Sequence, residues 1–125
     1  RLRPPHDELI PNALQTAHSF LGLPYDKPFK MDNSAFYCSE LVYECFRQAD
    51  GGTPVFPLAP MTFKDPATGQ TFPAWIEYYR NLGQPIPEGE PGINPGGISR
   101  SPLVEIVHAY GRPDGWHAKH YSRGT

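Results

Sequence analysis

"FYCSELVYECF", residues 36–46, decides how this chain is read. Leu41, Val42, Cys45 and Phe46 recur at the spacing of one helical face, and Glu40, Glu44, Arg47 and Gln48 occupy the other. The spacing predicts a helix that starts at about Cys38, buries the first set, turns the second set to water and stops at "DGG", residues 50–52. The two cysteines then part company: Cys45 belongs to the apolar stripe, where a free thiol behaves as a small hydrophobe, whereas Cys38 stands at the helix start. Two helical turns hold their Cα atoms roughly 10 Å apart, beyond the ~7 Å a disulfide can bridge, so they cannot pair with each other.

Upstream, Ala13, Leu14, Ala17, Phe20 and Leu21 predict a first helix over residues 12–21, closed by Gly22. "LPYDKPF" follows in extended or turn conformation, because each proline excludes the helical region for the residue before it. Downstream, "TPVFPLAPMTF" is extended but too proline-rich for a central strand, and "DPATGQ" is a turn between extended pieces. A third helix is predicted over "PAWIEYYRNL", residues 73–82, from Pro73 at its first position to Gly83 beyond its end. Residues 84–100 carry no period and are expected to form a functional loop or linker. In "LVEIVHAY", Val104, Ile106 and His108 alternate on one face and favour a strand, and residues 112–125 read as a flexible polar tail.

The expected class is therefore α+β, with helices packed on a small antiparallel sheet. One or two strands cannot close a sheet around three helices, so either further strands hide in the irregular segments or the sheet is incomplete in this chain. The 125 residues form a single domain or the C-terminal portion of one. A net charge of -2 gives no basic surface suited to nucleic acid, and no stretch reaches the ~18 apolar residues of a transmembrane helix. The opening "RLRPPHDELIP" has no signal-peptide core, and two free thiols leave the compartment undecided.

A thiol attacks a carbonyl only when ionised, and the unpaired N–H groups and dipole of a helix start stabilise negative charge on sulfur or on an oxyanion formed beside it. Cys38 occupies that position. The plainer alternative is a packed thiol, since free cysteine is among the most buried residue types. A nucleophile also needs a base, normally an imidazole oriented by a further polar group. Ser39 and Glu40 read as first-turn residues that satisfy amides and complement the dipole.

"LGLPYDKPFKMDNSAFYCSELVYECF", residues 21–46, resembles the core of papain-like bacterial amidases, in which a Leu-Gly-x-Pro-Tyr segment precedes a Cys-Ser-x-Leu-Val segment. NlpC-type endopeptidases generally carry Asp before the cysteine. Here Tyr37 stands there, and "YCSELV" is similar instead to the circularly permuted papain-like amidases of the YiiX group, distant relatives of lecithin:retinol acyltransferase. "PMTF", "PAWIEYYRNLG", "IPEGEPGINPG" and "ISRSP" resemble the downstream part of that group. The resemblance implies a permuted papain-like fold and a cysteine amidase, peptidase or esterase with Cys38 as nucleophile. It also implies that Tyr25 directs its hydroxyl at the reacting carbonyl to bind the oxyanion or substrate; an aromatic wedge beside Pro24 is the alternative. No cofactor or metal is implied. The implied substrate is a peptide, a cell-wall fragment or a lipid-linked group, and the group favours a periplasmic or secreted location if a signal precedes the chain.

The base is the gap in this reading. The permuted group carries its histidine N-terminal to the cysteine in a His-x-Gly-like segment, and neither His6 nor His18 matches. His108 has the chain order of unpermuted relatives, and "HAKH", residues 117–120, reads as a solvated tail more readily than a metal site. Either an upstream segment of the same domain supplies the imidazole, or the chain is a non-catalytic peptide- or lipid-binding module. Acyl transfer would use the same thioester with another acceptor.

Overall fold

The computed structural model describes residues 1–32 and 34–112. In chain order its elements are α1 (Ile10–Ser19), α2 (Cys38–Ala49), β1 (Ala59–Pro60), α3 (Pro73–Leu82), β2 (Pro91–Gly92) and α4 (Pro95–Ser99), with a 3-10 turn, His6–Leu9, leading into α1. The strands pair antiparallel, Ala59 opposite Gly92 and Pro60 opposite Pro91, so the fold is α+β with a very small sheet. No helix among the described residues is long and apolar enough to cross a membrane.

Helix α3 follows its punctuation. Pro73 stands in the first turn, where a missing N–H costs nothing, and Gly83 ends the helix at φ 66, a left-handed conformation in which a Cβ would be strained. Gly83 and Gln84 donate their N–H groups back to the carbonyls of Arg80 and Tyr79, at 3.1 Å each. Helix α1 begins two residues earlier than the apolar spacing predicts, because Pro11 is accommodated within its first turn.

Helix α2 starts at Cys38 as expected, but its faces are not those the apolar spacing predicts. Glu40 and Glu44 are buried, while Val42 is exposed. The helix is covered on more than one side: α1 packs against it, and Tyr37 and Tyr43 enter a core with Leu2, Val55, Phe56 and Ile93. Glu44 tolerates burial because Arg47 grips it with Nε at 2.8 Å and Nη2 at 2.7 Å, and Gln48 Nε2 adds a third bond at 2.8 Å. Those donors hold its carboxyl below the usual range.

Two further segments differ from expectation. Residues 84–100 contain β2 and α4, elements too short to imprint a period. The segment 104–108 is not a strand: it makes a single antiparallel bridge, Leu2 opposite Val104, flanked by Arg3 N–H to Leu103 O and Glu105 N–H to Arg1 O, both at 2.8 Å. Beyond Glu105 the chain finds no ladder to join among the described residues. The tail from residue 113, with His117 and His120, lies outside the described residues.

Candidate active site

Cys38 is the first residue of α2, and its side chain is exposed. The first intrahelical bond is Leu41 N–H to Tyr37 O at 3.0 Å, so the preceding N–H groups belong to the turn that a helix leaves without internal acceptors. The approach to the helix is fixed by a parallel bridge between Tyr25 and Phe36, with Asp26 N–H to Phe36 O at 3.1 Å and Phe36 N–H to Pro24 O at 3.2 Å.

The residues on either side of Cys38 hold the backbone of one and the same residue. Ile93 donates its N–H to the Tyr37 hydroxyl at 3.2 Å, and its carbonyl accepts the Ser39 hydroxyl at 2.9 Å. Tyr37 passes its own proton toward Met31 Sδ, 3.3 Å away. This pins the segment after β2 beside the thiol. Ser39 thus serves a distant carbonyl, not the local helix amides expected from its position.

Two cavities open at Cys38. One, of about 380 Å3, is walled by Phe29, Met61, Phe63, Trp75 and Ile93; the other, of about 370 Å3, runs toward Val42, Ile98, Val104 and Glu105. Phe29 reaches its place through a positive φ of 59, unusual for a residue with a Cβ. Asp26 Oδ2 holds that turn by accepting Lys30 N–H at 2.7 Å. The hydroxyls of Tyr78 and Tyr79 on α3 clamp the carbonyls of Lys27 and Pro28, at 2.8 and 3.0 Å. The Phe29 ring then meets Tyr37 and Trp75 edge-on, with centroids 5.4 and 6.1 Å away. Nothing in the apolar spacing marks Phe29; the Asp-x-Pro-Phe turn is the signal that could have found it.

The same first turn carries an acid shut off from solvent. Glu40 is 0% exposed; its Oε2 accepts Tyr37 N–H at 3.2 Å, and its Oε1 has no partner among the described residues. Burial pushes its carboxyl up to about 7, and Asp26, Asp32 and Glu44 add to the rise against the Tyr37 N–H. Burial also raises Asp26, although the Lys30 and Phe29 N–H groups oppose it. Cys45 is buried in the core, where desolvation pushes its thiol up.

Tyr25 comes close to Cys38 in the backbone through its pairing with Phe36, yet its side chain is 56% exposed, packs edge-on to Phe29 at 6.5 Å and lines neither cavity. His6, His18 and His108 line neither cavity either. His108 is exposed, with its ring against Tyr110 at 5.1 Å. Among the described residues no group of three or more His, Cys, Asp or Glu side chains converges as metal ligands.

Residues 1–108 match the model of the permuted papain-like amidase enzyme family of the YaeF/YiiX type. No curated protein and no solved structure matches the chain.

Proposed function

The chain belongs to the permuted papain-like amidase enzyme family, and from that premise we propose that Cys38 is the nucleophile of a cysteine hydrolase acting on an amide or ester. The observation that carries this reading is the placement of an exposed thiol on the first turn of α2, where two cavities meet. The Cys38 thiolate forms a C–S bond to the substrate carbonyl carbon, and the carbonyl electron pair moves onto oxygen, facing the first-turn amides at the start of α2. Collapse of that oxyanion breaks the C–N or C–O bond, and the amine or alcohol leaves with a proton. Water then attacks the thioester, releasing a carboxylic acid and restoring the thiol.

Tyr25 is the proposed second oxyanion donor, and an imidazole from outside the described residues is the proposed base. A peptide, cell-wall or lipid-linked substrate fits the family, and transfer to an acceptor other than water would use the same thioester. A second reading, a non-catalytic peptide- or lipid-binding module, is favoured by one observation: no histidine among the described residues lines a cavity at Cys38.

Alkylation by iodoacetamide, followed residue by residue, separates the two readings. A nucleophilic Cys38 is modified much faster than Cys45 and faster than a free thiol of glutathione at the same pH. Modification of Cys38 no faster than glutathione would remove the catalytic reading.

A further inference from the structure

Few of the polar side chains beside the thiol have a proton left to give. The Tyr37 hydroxyl donates to Met31 Sδ, the Ser39 hydroxyl to the Ile93 carbonyl, and the Thr62 hydroxyl to the Glu88 carboxylate. Trp75 stands on α3, with its ring packed among Phe29, Phe63 and Tyr78. Asn94 is placed differently. It lines the same cavity as Cys38 and Ser39, and its Oδ1 accepts the Gly97 N–H at 2.7 Å. That bond identifies one end of the amide as oxygen, so the end turned away from Gly97 is the Nδ2 donor.

Two anchors fix where this donor sits. Ile93, one residue earlier, is buried, its N–H held by the Tyr37 hydroxyl at 3.2 Å and its carbonyl by the Ser39 hydroxyl at 2.9 Å. The backbone leading into Asn94 is therefore tied to both neighbours of the thiol. On the far side, Asn94 caps α4 in extended conformation, φ -136 and ψ 166, with Pro95 opening the helix. A donor held in place before charge develops needs no reorganisation when the charge appears, which is what makes such a group effective toward an oxyanion.

We infer that Asn94 is a catalytic residue: its Nδ2–H donates to the oxyanion that forms when Cys38 attacks a substrate carbonyl, beside the first-turn amides of α2. The assignment rests on Cys38 being the nucleophile. Because the Tyr25 ring lines neither cavity, Asn94 supplies the side-chain donor on the cavity side.

Two reactions of Cys38 on the full chain test this, one that makes an oxyanion and one that does not. With p-nitrophenyl acetate the thiolate forms a C–S bond to the acetyl carbon and the carbonyl pair moves onto oxygen; its return expels p-nitrophenolate and leaves an acetyl thioester. With iodoacetamide the thiolate forms its C–S bond at the methylene carbon as iodide leaves, and the carbonyl oxygen gains no charge. Both rates are corrected with Cys38→Ala for modification elsewhere and divided by those of glutathione. Asn94→Ser keeps a side-chain oxygen that caps a helix as well as asparagine does, so α4 is retained while Nδ2 is lost. Loss of one oxyanion donor commonly slows acyl transfer by about 10²–10³. Acylation of Cys38 should therefore fall at least tenfold in Asn94→Ser, with alkylation within twofold of the unchanged chain and Cys45 still slow to alkylate. Acylation unchanged in the variant would overturn the assignment and leave the nucleophile standing. A parallel fall in both reactions would also overturn it, because the loss would then lie in the thiol or the fold. If Cys38 outpaces glutathione in neither reaction, the catalytic reading fails and the donor role of Asn94 fails with it.

Discussion

Tyr37 and Glu40 are joined across the first turn of α2: the Tyr37 N–H donates to Glu40 Oε2 at 3.2 Å, while Glu40 Oε1 stays buried without a partner among the described residues. Burial pushes the carboxyl from 4.5 up to about 7 against the Tyr37 N–H. Because the folded chain holds this proton more tightly than the unfolded one, the contribution to stability is fully present below pH 4.5 and is lost as pH rises through about 7. Its size is on the order of 3 kcal/mol. Urea unfolding of Glu40→Gln, compared with the unchanged chain at pH 5 and pH 7.5, should show a flatter pH dependence in the variant. The same slope in both chains would mean that Glu40 is ionised when folded.

Glu44 has the opposite sign. Arg47 and Gln48 hold its carboxyl below 4.5, so its contribution is present above that pH and is lost as pH falls. Arg47→Ala leaves a buried carboxylate with one weak donor and should destabilise the fold by about 2–3 kcal/mol at pH 7. The deficit should shrink as pH falls below 4.5 and Glu44 takes a proton. A deficit independent of pH would assign the loss to packing of the Arg47 stem.

The two cysteines should separate in two measurements of opposite outcome. Cys38→Ala removes an exposed side chain and should change stability by less than about 0.5 kcal/mol while abolishing hydrolysis. Cys45→Ser puts a hydroxyl into the core and should cost about 1–3 kcal/mol while leaving the rate per folded molecule unchanged. Hydrolysis that survives Cys38→Ala would move the chemistry elsewhere.

The paired grip on Ile93 calls for a double-mutant cycle. Tyr37→Phe strands the Ile93 N–H and Ser39→Ala strands its carbonyl, each at a cost of about 1–2 kcal/mol. Once either bond is lost the segment around Ile93 can move toward water, so the second loss should cost less, with a coupling of at least about 0.5 kcal/mol. Strict additivity would show that the two bonds act independently.

What could be read from the sequence was local. Helix α3 is bounded by Pro73 and Gly83, residues whose own backbone chemistry sets the ends, and α2 starts where Cys38 was expected. The faces of α2 were not legible, because what Glu40 and Glu44 meet is decided by Tyr37 and Arg47 geometry and by α1, none of which a 3.6-residue period records. The two-residue strands β1 and β2 owe their pairing to partners about thirty positions apart, and α4, "PGGIS", has no apolar stripe to betray it. In the same way Val104 alternates like a strand residue but, among the described residues, pairs only in an isolated bridge with Leu2. Cys38 was legible as a helix-start thiol; the cavity walls contributed by Phe29, Met61 and Trp75 were not, since they converge only through tertiary contacts.

Ile93 ties the thiol's neighbours to a part of the chain more than fifty residues away. Anyone transplanting this cysteine helix into another scaffold therefore cannot move α2 alone. The graft would arrive with the Tyr37 and Ser39 hydroxyls unmatched, so residues 91–94 are cargo that must travel with it, and the smallest transferable unit is a discontinuous one.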